Sequence, residues 1–146
     1  MTDRILILNG PNLNLLGTRE PATYGEQTLG DVHAACERLG AELGFEVSTF
    51  QSNHEGELVD KIQEAGRDGI GIVFNPGAYS HTSIALRDAI AGSGAVVVEV
   101  HISNIHARER FRHHSHVTAV AKGMICGLGT DGYLLAIRAL AVHMKR

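Results

Sequence analysis

A chain of 146 residues, 44% hydrophobic and 20% charged, has the length of one domain and enough apolar content for a core, which excludes disordered, fibrous and membrane-spanning classes. Its net charge of -3 comes with no basic stripe, so a nucleic-acid backbone is not an expected partner. The two cysteines, Cys36 and Cys126, sit in apolar patterns without CxxC spacing and read as buried thiols of a reducing compartment; the apolar run 5–8 is too short for a leader or a membrane span, and cytoplasmic residence is expected.

Short β-branched runs alternate with longer amphipathic segments, counted as five strand-helix units, and this alternation predicts a parallel sheet with helices on both faces. Strand one is expected over 4–8. Leu29, Val32, Cys36, Leu39 and Leu43 then recur at helical spacing before Gly44 stops the helix. Strand two is expected over 45–50, a helix carrying Leu58, Val59 and Ile62 over 55–65, and a continuous apolar strand three over 70–74. A third helix is placed at 82–91, strand four at 95–100, a short strand five at 123–127, and a closing amphipathic helix at 130–144. With no linker, repeat or low-complexity stretch, the expected fold is a single α/β domain, a doubly wound five-stranded sheet of flavodoxin-like order. Ligands of such sheets bind beyond the carboxyl ends of the strands. The polar, Gly- and Pro-punctuated segments fall there, at 9–26, 75–83 and 101–115.

The segment 9–26 is longer than a turn requires and reads as a lid over a site. Within it Arg19 and Tyr24 are close enough to meet, and a guanidinium beside a phenol favours the phenolate, a general base. Spacing alone favours the plainer reading, an exposed pair on a surface loop, and Asn12 alone is a turn residue. Asn75-Pro-Gly-Ala-Tyr-Ser-His-Thr-Ser83 runs from a buried strand into a helix, where free N–H groups favour an anion; Ser80 or Thr82 as helix cap, and His81 as a first-turn residue, explain it equally well. His81 and Asp88, seven apart, are expected on one helix face. Glu99 and His101 flank Val100 at a strand end and so point to one side. A carboxylate there can orient the imidazole as acid or base, or the histidine can be an incidental strand-end residue. Ser103 adds a donor; Arg108, Arg110 and Arg112 have solvated surface as their ordinary fate. His113, His114 and His116 carry no carboxylate or Cys at ligand spacing, so no metal is expected. Lys61, Lys122 and Lys145 lie outside all three segments, which leaves no Schiff-base nucleophile.

Gly10-Pro-Asn-Leu-Asn-Leu-Leu-Gly17, Arg19-Glu-Pro21 with Tyr24-Gly25, the 75–83 segment, Glu99-Val-His-Ile-Ser-Asn104, Arg108-Glu-Arg-Phe-Arg-His113 and Gly127-Leu-Gly-Thr-Asp-Gly-Tyr133 together resemble the type II 3-dehydroquinate dehydratases from end to end. The resemblance implies a hydro-lyase that converts 3-dehydroquinate to 3-dehydroshikimate by anti elimination of water, in the shikimate route, with no cofactor. It implies Tyr24, activated by Arg19, as base; Asn12 stabilising the enolate through a water; and His101, oriented by Glu99, as acid. It further implies that Asn75, Ser103 and the backbone N–H of Ile102 hold the substrate carboxylate, and that His81 and Arg112 bind ring hydroxyls. Asp88 would come from a neighbouring subunit of a trimer, four of which assemble into a dodecamer. The sequence departs from the family pattern at none of these positions. Two rivals are a flavodoxin-like redox or signalling module and a metal-assisted hydrolase using 113–116. The first would want Asp at the ends of strands one and three, where Asn9 and Asn75 stand.

Overall fold

The structure, a computed structural model, describes residues 3–18, 22 and 26–144. Five strands, β1 (Asp3–Asn9), β2 (Phe45–Gln51), β3 (Gly71–Asn75), β4 (Val97–His101) and β5 (Gly123–Cys126), form one parallel sheet in the order β2-β1-β3-β4-β5. Helices α1 (Leu29–Glu42), α2 (Glu55–Asp68), α3 (Ile84–Ser93) and α4 (Asp131–His143) cover it. This is the expected doubly wound, flavodoxin-like order. The chain reverses between β1 and β3, and there the register sets Asn9 beside Asn75.

Alternation along β1 explains the two layers. Ile5 and Ile7 face one core with Val32, Cys36, Ile137 and Leu140, while Leu6 and Leu8 face another with Leu58, Ile62, Leu86 and Ile90. The first core lies under α1 and α4, the second under α2 and α3. Burial in the first pushes the Cys36 thiol up to about 12, with Glu37 adding to the shift, so it stays protonated. Cys126 corrects the expectation of a second buried thiol: β5 is an edge strand of intermediate burial, and Cys126 is half-buried.

Helix ends follow local chemistry. Thr28 and Asp31 make a reciprocal capping box at α1, with bonds of 3.1 and 3.0 Å. Gly69 ends α2 in the left-handed region, which a residue with a Cβ enters only at a cost. Three expectations change. The 75–83 segment forms a 3₁₀ turn over Gly77–His81, and α3 starts only at Ile84, capped by Ser83, whose Oγ accepts from the Leu86 N–H at 3.0 Å. Neither Ser80 nor Thr82 is the cap, and His81 and Asp88 do not share one helix. The crossover from β4 to β5, for which the sequence placed no helix, is made by 3₁₀ turns. No helix among the described residues is long and apolar enough to cross a membrane.

Candidate active site

Each of the three polar segments contributes to one pocket of about 620 Å³, open to solvent, at the carboxyl ends of β1, β3 and β4. Gly10 lets the β1 and β3 loops touch: its N–H donates to the Asn75 carbonyl at 2.8 Å, and a Cβ there would stand 2.6 Å from the Pro76 carbonyl oxygen. Asn12, at the pocket wall, is the one non-glycine residue with positive φ (69°) among those described. Its backbone is braced from a segment the sequence left unread, the end of β2. The Asn12 N–H donates to Asn53 Oδ1 at 3.0 Å, and Gln51 Nε2 donates to the Gly10 carbonyl at 3.1 Å.

At the floor, Glu99 is fully buried and His101 nearly so, as their spacing on one strand face predicts; His101 Nε2 lies 2.5 Å from Glu99 Oε2. Two residues that sequence reading missed complete the carboxylate's shell. Ser115 donates to Oε2 at 2.8 Å and Thr118 to Oε1 at 2.6 Å. Burial alone would raise the Glu99 carboxyl; the hydrogen bond and charge of His101, then the two hydroxyls, outweigh it and hold the group below its ordinary 4.5. With Nε2 committed to Glu99, His101 has Nδ1 left for chemistry.

His81, on the 3₁₀ turn, stacks at 6.4 Å from the His101 ring and donates from Nδ1 to the His114 carbonyl at 2.8 Å. Desolvation, with smaller contributions from His101 and Arg112, lowers its pKa against that bond, so His81 is neutral near pH 7 and its Nε2 is an acceptor. Ile102 and Ser103 line the pocket beside His101, and Ser103 Oγ accepts from Arg108 at 3.3 Å. Arg112 also lines it, its Nε held by Glu109 at 3.0 Å. Arg108, read as surface from sequence, therefore joins the site. Two guanidinium groups and two imidazoles face the pocket, and among the described residues no carboxylate stands on its wall, a setting for an anionic ligand.

Asn75 is nearly buried between β3 and the 3₁₀ turn. Its Oδ1 accepts from the Gly77 N–H at 3.0 Å, and its Nδ2 donates to the Tyr133 hydroxyl at 2.9 Å. Tyr133 donates in turn to Asn9 Oδ1 at 2.6 Å, and Asn9 Nδ2 meets His33 Nε2 at 3.2 Å. Burial pushes the Tyr133 hydroxyl well above its ordinary 10, and desolvation lowers His33, so both are neutral.

Asp88 is not brought to this pocket by its own chain; it is exposed on α3, in a separate cleft with Arg67 and Ser93. Arg19 and Tyr24 lie outside the described residues. Among the described residues no three His, Cys, Asp or Glu side chains converge as a metal site; His114 and His116 instead pack edge to face at 4.8 Å.

The Glu99 shell sets a pH dependence. A carboxyl held below its unfolded value contributes stability that is present above pH about 4.3 and is lost as pH falls through the lower folded value. Glu99→Gln is expected to lose about 1–3 kcal/mol against the wild type at pH 6, with the gap narrowing in urea titrations below pH about 4.3. A gap that stays constant with pH would show that the carboxyl is unshifted.

Residues 3–141 match the family model described as dehydroquinase class II. The 3-dehydroquinate dehydratase of Brucella canis (strain ATCC 23365 / NCTC 10854 / RM-666) is 59% identical over 145 residues, 99% of this chain and 92% of that protein. The type II dehydroquinase of Propionibacterium acnes has a TM-score of 0.94 at 48% identity, covering 97% of this chain and 98% of the other. That of Butyrivibrio crossotus DSM 2876 has a TM-score of 0.92 at 47% identity, covering 95% and 97%. With a model matched over nearly all its length and a full-length relative this similar, the chain belongs to the dehydroquinase class II family.

Proposed function

We propose that the chain is a 3-dehydroquinate dehydratase, converting 3-dehydroquinate to 3-dehydroshikimate by anti elimination of water in the shikimate pathway of aromatic amino acid biosynthesis. The observation that carries the reading is the buried Glu99–His101 pair at 2.5 Å, opening onto a cationic pocket at the point where the strand order reverses.

Tyr24, as phenolate beside Arg19, removes the proton next to the ketone, and the electron pair becomes an enolate that Asn12 stabilises through a water. As the enolate collapses, the carbon–oxygen bond of the tertiary hydroxyl breaks and His101 Nδ1 supplies the proton that lets it leave as water. His101 enters this step protonated, with Nε2–H on Glu99 Oε2; a proton returned from Tyr24 to His101 through solvent resets the pair. Asn75, Ser103 and the Ile102 N–H hold the substrate carboxylate, while His81 and Arg112 take ring hydroxyls. Every step is proton transfer or charge stabilisation, for which side chains suffice without metal or organic cofactor. Asp88 completes a neighbour's site, in trimers that build a dodecamer in the cytoplasm.

Mixing pure protein with 3-dehydroquinate is expected to produce the ultraviolet absorbance of a conjugated enone, unchanged by prior EDTA treatment. No absorbance change sinks the reading. Loss of turnover to EDTA with recovery on adding zinc puts a metal in the reaction instead.

A further inference from the structure

A buried phenol whose oxygen joins two strand ends is an odd choice for a core position, where Phe would fill the same space. Tyr133, in the first turn of α4, is fully buried, and its hydroxyl lies between Asn9 and Asn75, register partners at the ends of β1 and β3. A phenol has one proton to give. It goes to Asn9 Oδ1 at 2.6 Å, so toward Asn75 the oxygen can only accept, and Asn75 must present Nδ2, at 2.9 Å. The Gly77 N–H on Asn75 Oδ1 at 3.0 Å demands the same orientation. At the far end Asn9 directs its own amide N–H at His33 Nε2, which keeps Asn9 Oδ1 turned toward the phenol. The hydrogen bonds thus run in one direction from Asn75 through Tyr133 and Asn9 to His33, over a sequence separation of up to 124 residues.

We infer that Tyr133 is a positioning residue: outside the pocket, it locks the Asn75 amide so that the second Nδ2 proton is held ready for the substrate carboxylate. The inference rests on the dehydratase reading, in which Asn75 binds that group. The Gly77 N–H holds the oxygen end of the amide and the phenol oxygen its nitrogen end; with the second hold lost, the amide would turn its carbonyl oxygen to an anion part of the time and repel it.

The test is a cycle of four proteins: wild type, Tyr133→Phe, Asn75→Ala and the double variant, each checked by circular dichroism and assayed for kcat and KM. Asn75 meets the carboxylate alike in ground and transition states. Tyr133→Phe is therefore expected to raise KM about tenfold while kcat stays within about twofold. In the Asn75→Ala background the same change is expected to leave KM within about twofold, because the residue acts through Asn75. An equal KM rise in both backgrounds, or none in either, overturns the inference. If Tyr133→Phe does not fold, Asn9→Ala replaces it in the cycle: without its acceptor the phenol is free to donate to Asn75, and KM should rise about threefold or more, again only where Asn75 is present. A wild type that does not dehydrate 3-dehydroquinate overturns the dehydratase reading itself and this inference with it. An active wild type with additive effects overturns the inference alone.

Discussion

A Tyr24→Phe protein is expected to fold as the wild type does and to lose about 10²–10⁴-fold in kcat, the range a positioned general base supplies. The phenol oxygen is the only atom removed, and a polar, Gly- and Pro-punctuated connection after a strand is expected to lie on the surface, so stability should be nearly unaffected. Arg19→Ala should act in the same direction, since without the guanidinium the phenolate is no longer favoured. His101→Ala is expected to cost kcat a similar factor by deleting the acid, yet it differs in one respect. It leaves Glu99 buried with only Ser115 and Thr118, and should also destabilise the fold by about 3–5 kcal/mol, the scale for breaking a buried ion pair. Steady-state kinetics with circular dichroism and urea midpoints separate the two losses. Near wild-type kcat in a folded Tyr24→Phe protein would remove Tyr24 from the mechanism and send the proton elsewhere.

The second large effect concerns a site shared between chains. Asp88 stands on α3, exposed and away from its own pocket, although the family resemblance places it at a substrate. The proposed closed trimer would reconcile the two, with each Asp88 reaching the next subunit. Tyr24→Phe and Asp88→Ala proteins, each nearly inactive, would be unfolded, mixed in equal amounts and refolded together. A site is whole only when its own subunit keeps Tyr24 and its neighbour keeps Asp88. Random assembly should restore about a quarter of wild-type activity, one half multiplied by one half. If both residues acted within one chain, every site would carry one lesion or the other and mixing would restore nothing. Full activity in a folded Asp88→Ala protein would make the carboxylate an ordinary solvated helix residue.

Much of this molecule is legible along the chain because local rules govern it. The alternating Ile5, Leu6, Ile7 and Leu8, the helical spacing of Val32, Cys36 and Leu39, and the polar segments after strands one, three and four specify strands, helices and the end of the sheet that holds the pocket. The Glu99–His101 pairing is legible for the same reason, since a period of two fixes their common side without any knowledge of the rest. Helix starts are less so: residues 76–83 carry signals for both a turn and a cap, and the Gly77 N–H bond to Asn75 Oδ1 belongs to the turn that keeps α3 from starting before Ile84. Burial at β5 depends on which strand ends up at the edge, so Cys126 could not be placed from its apolar neighbours. The supports of the site were invisible for a stronger reason. Ser115 and Thr118 close on Glu99 across 16 and 19 residues, Asn53 reaches Asn12 across 41, and Tyr133 reaches Asn9 across 124. Hydrogen-bond partners at such separations are chosen by how the sheet orders its strands and how the helices pack on it, and no local propensity carries that information.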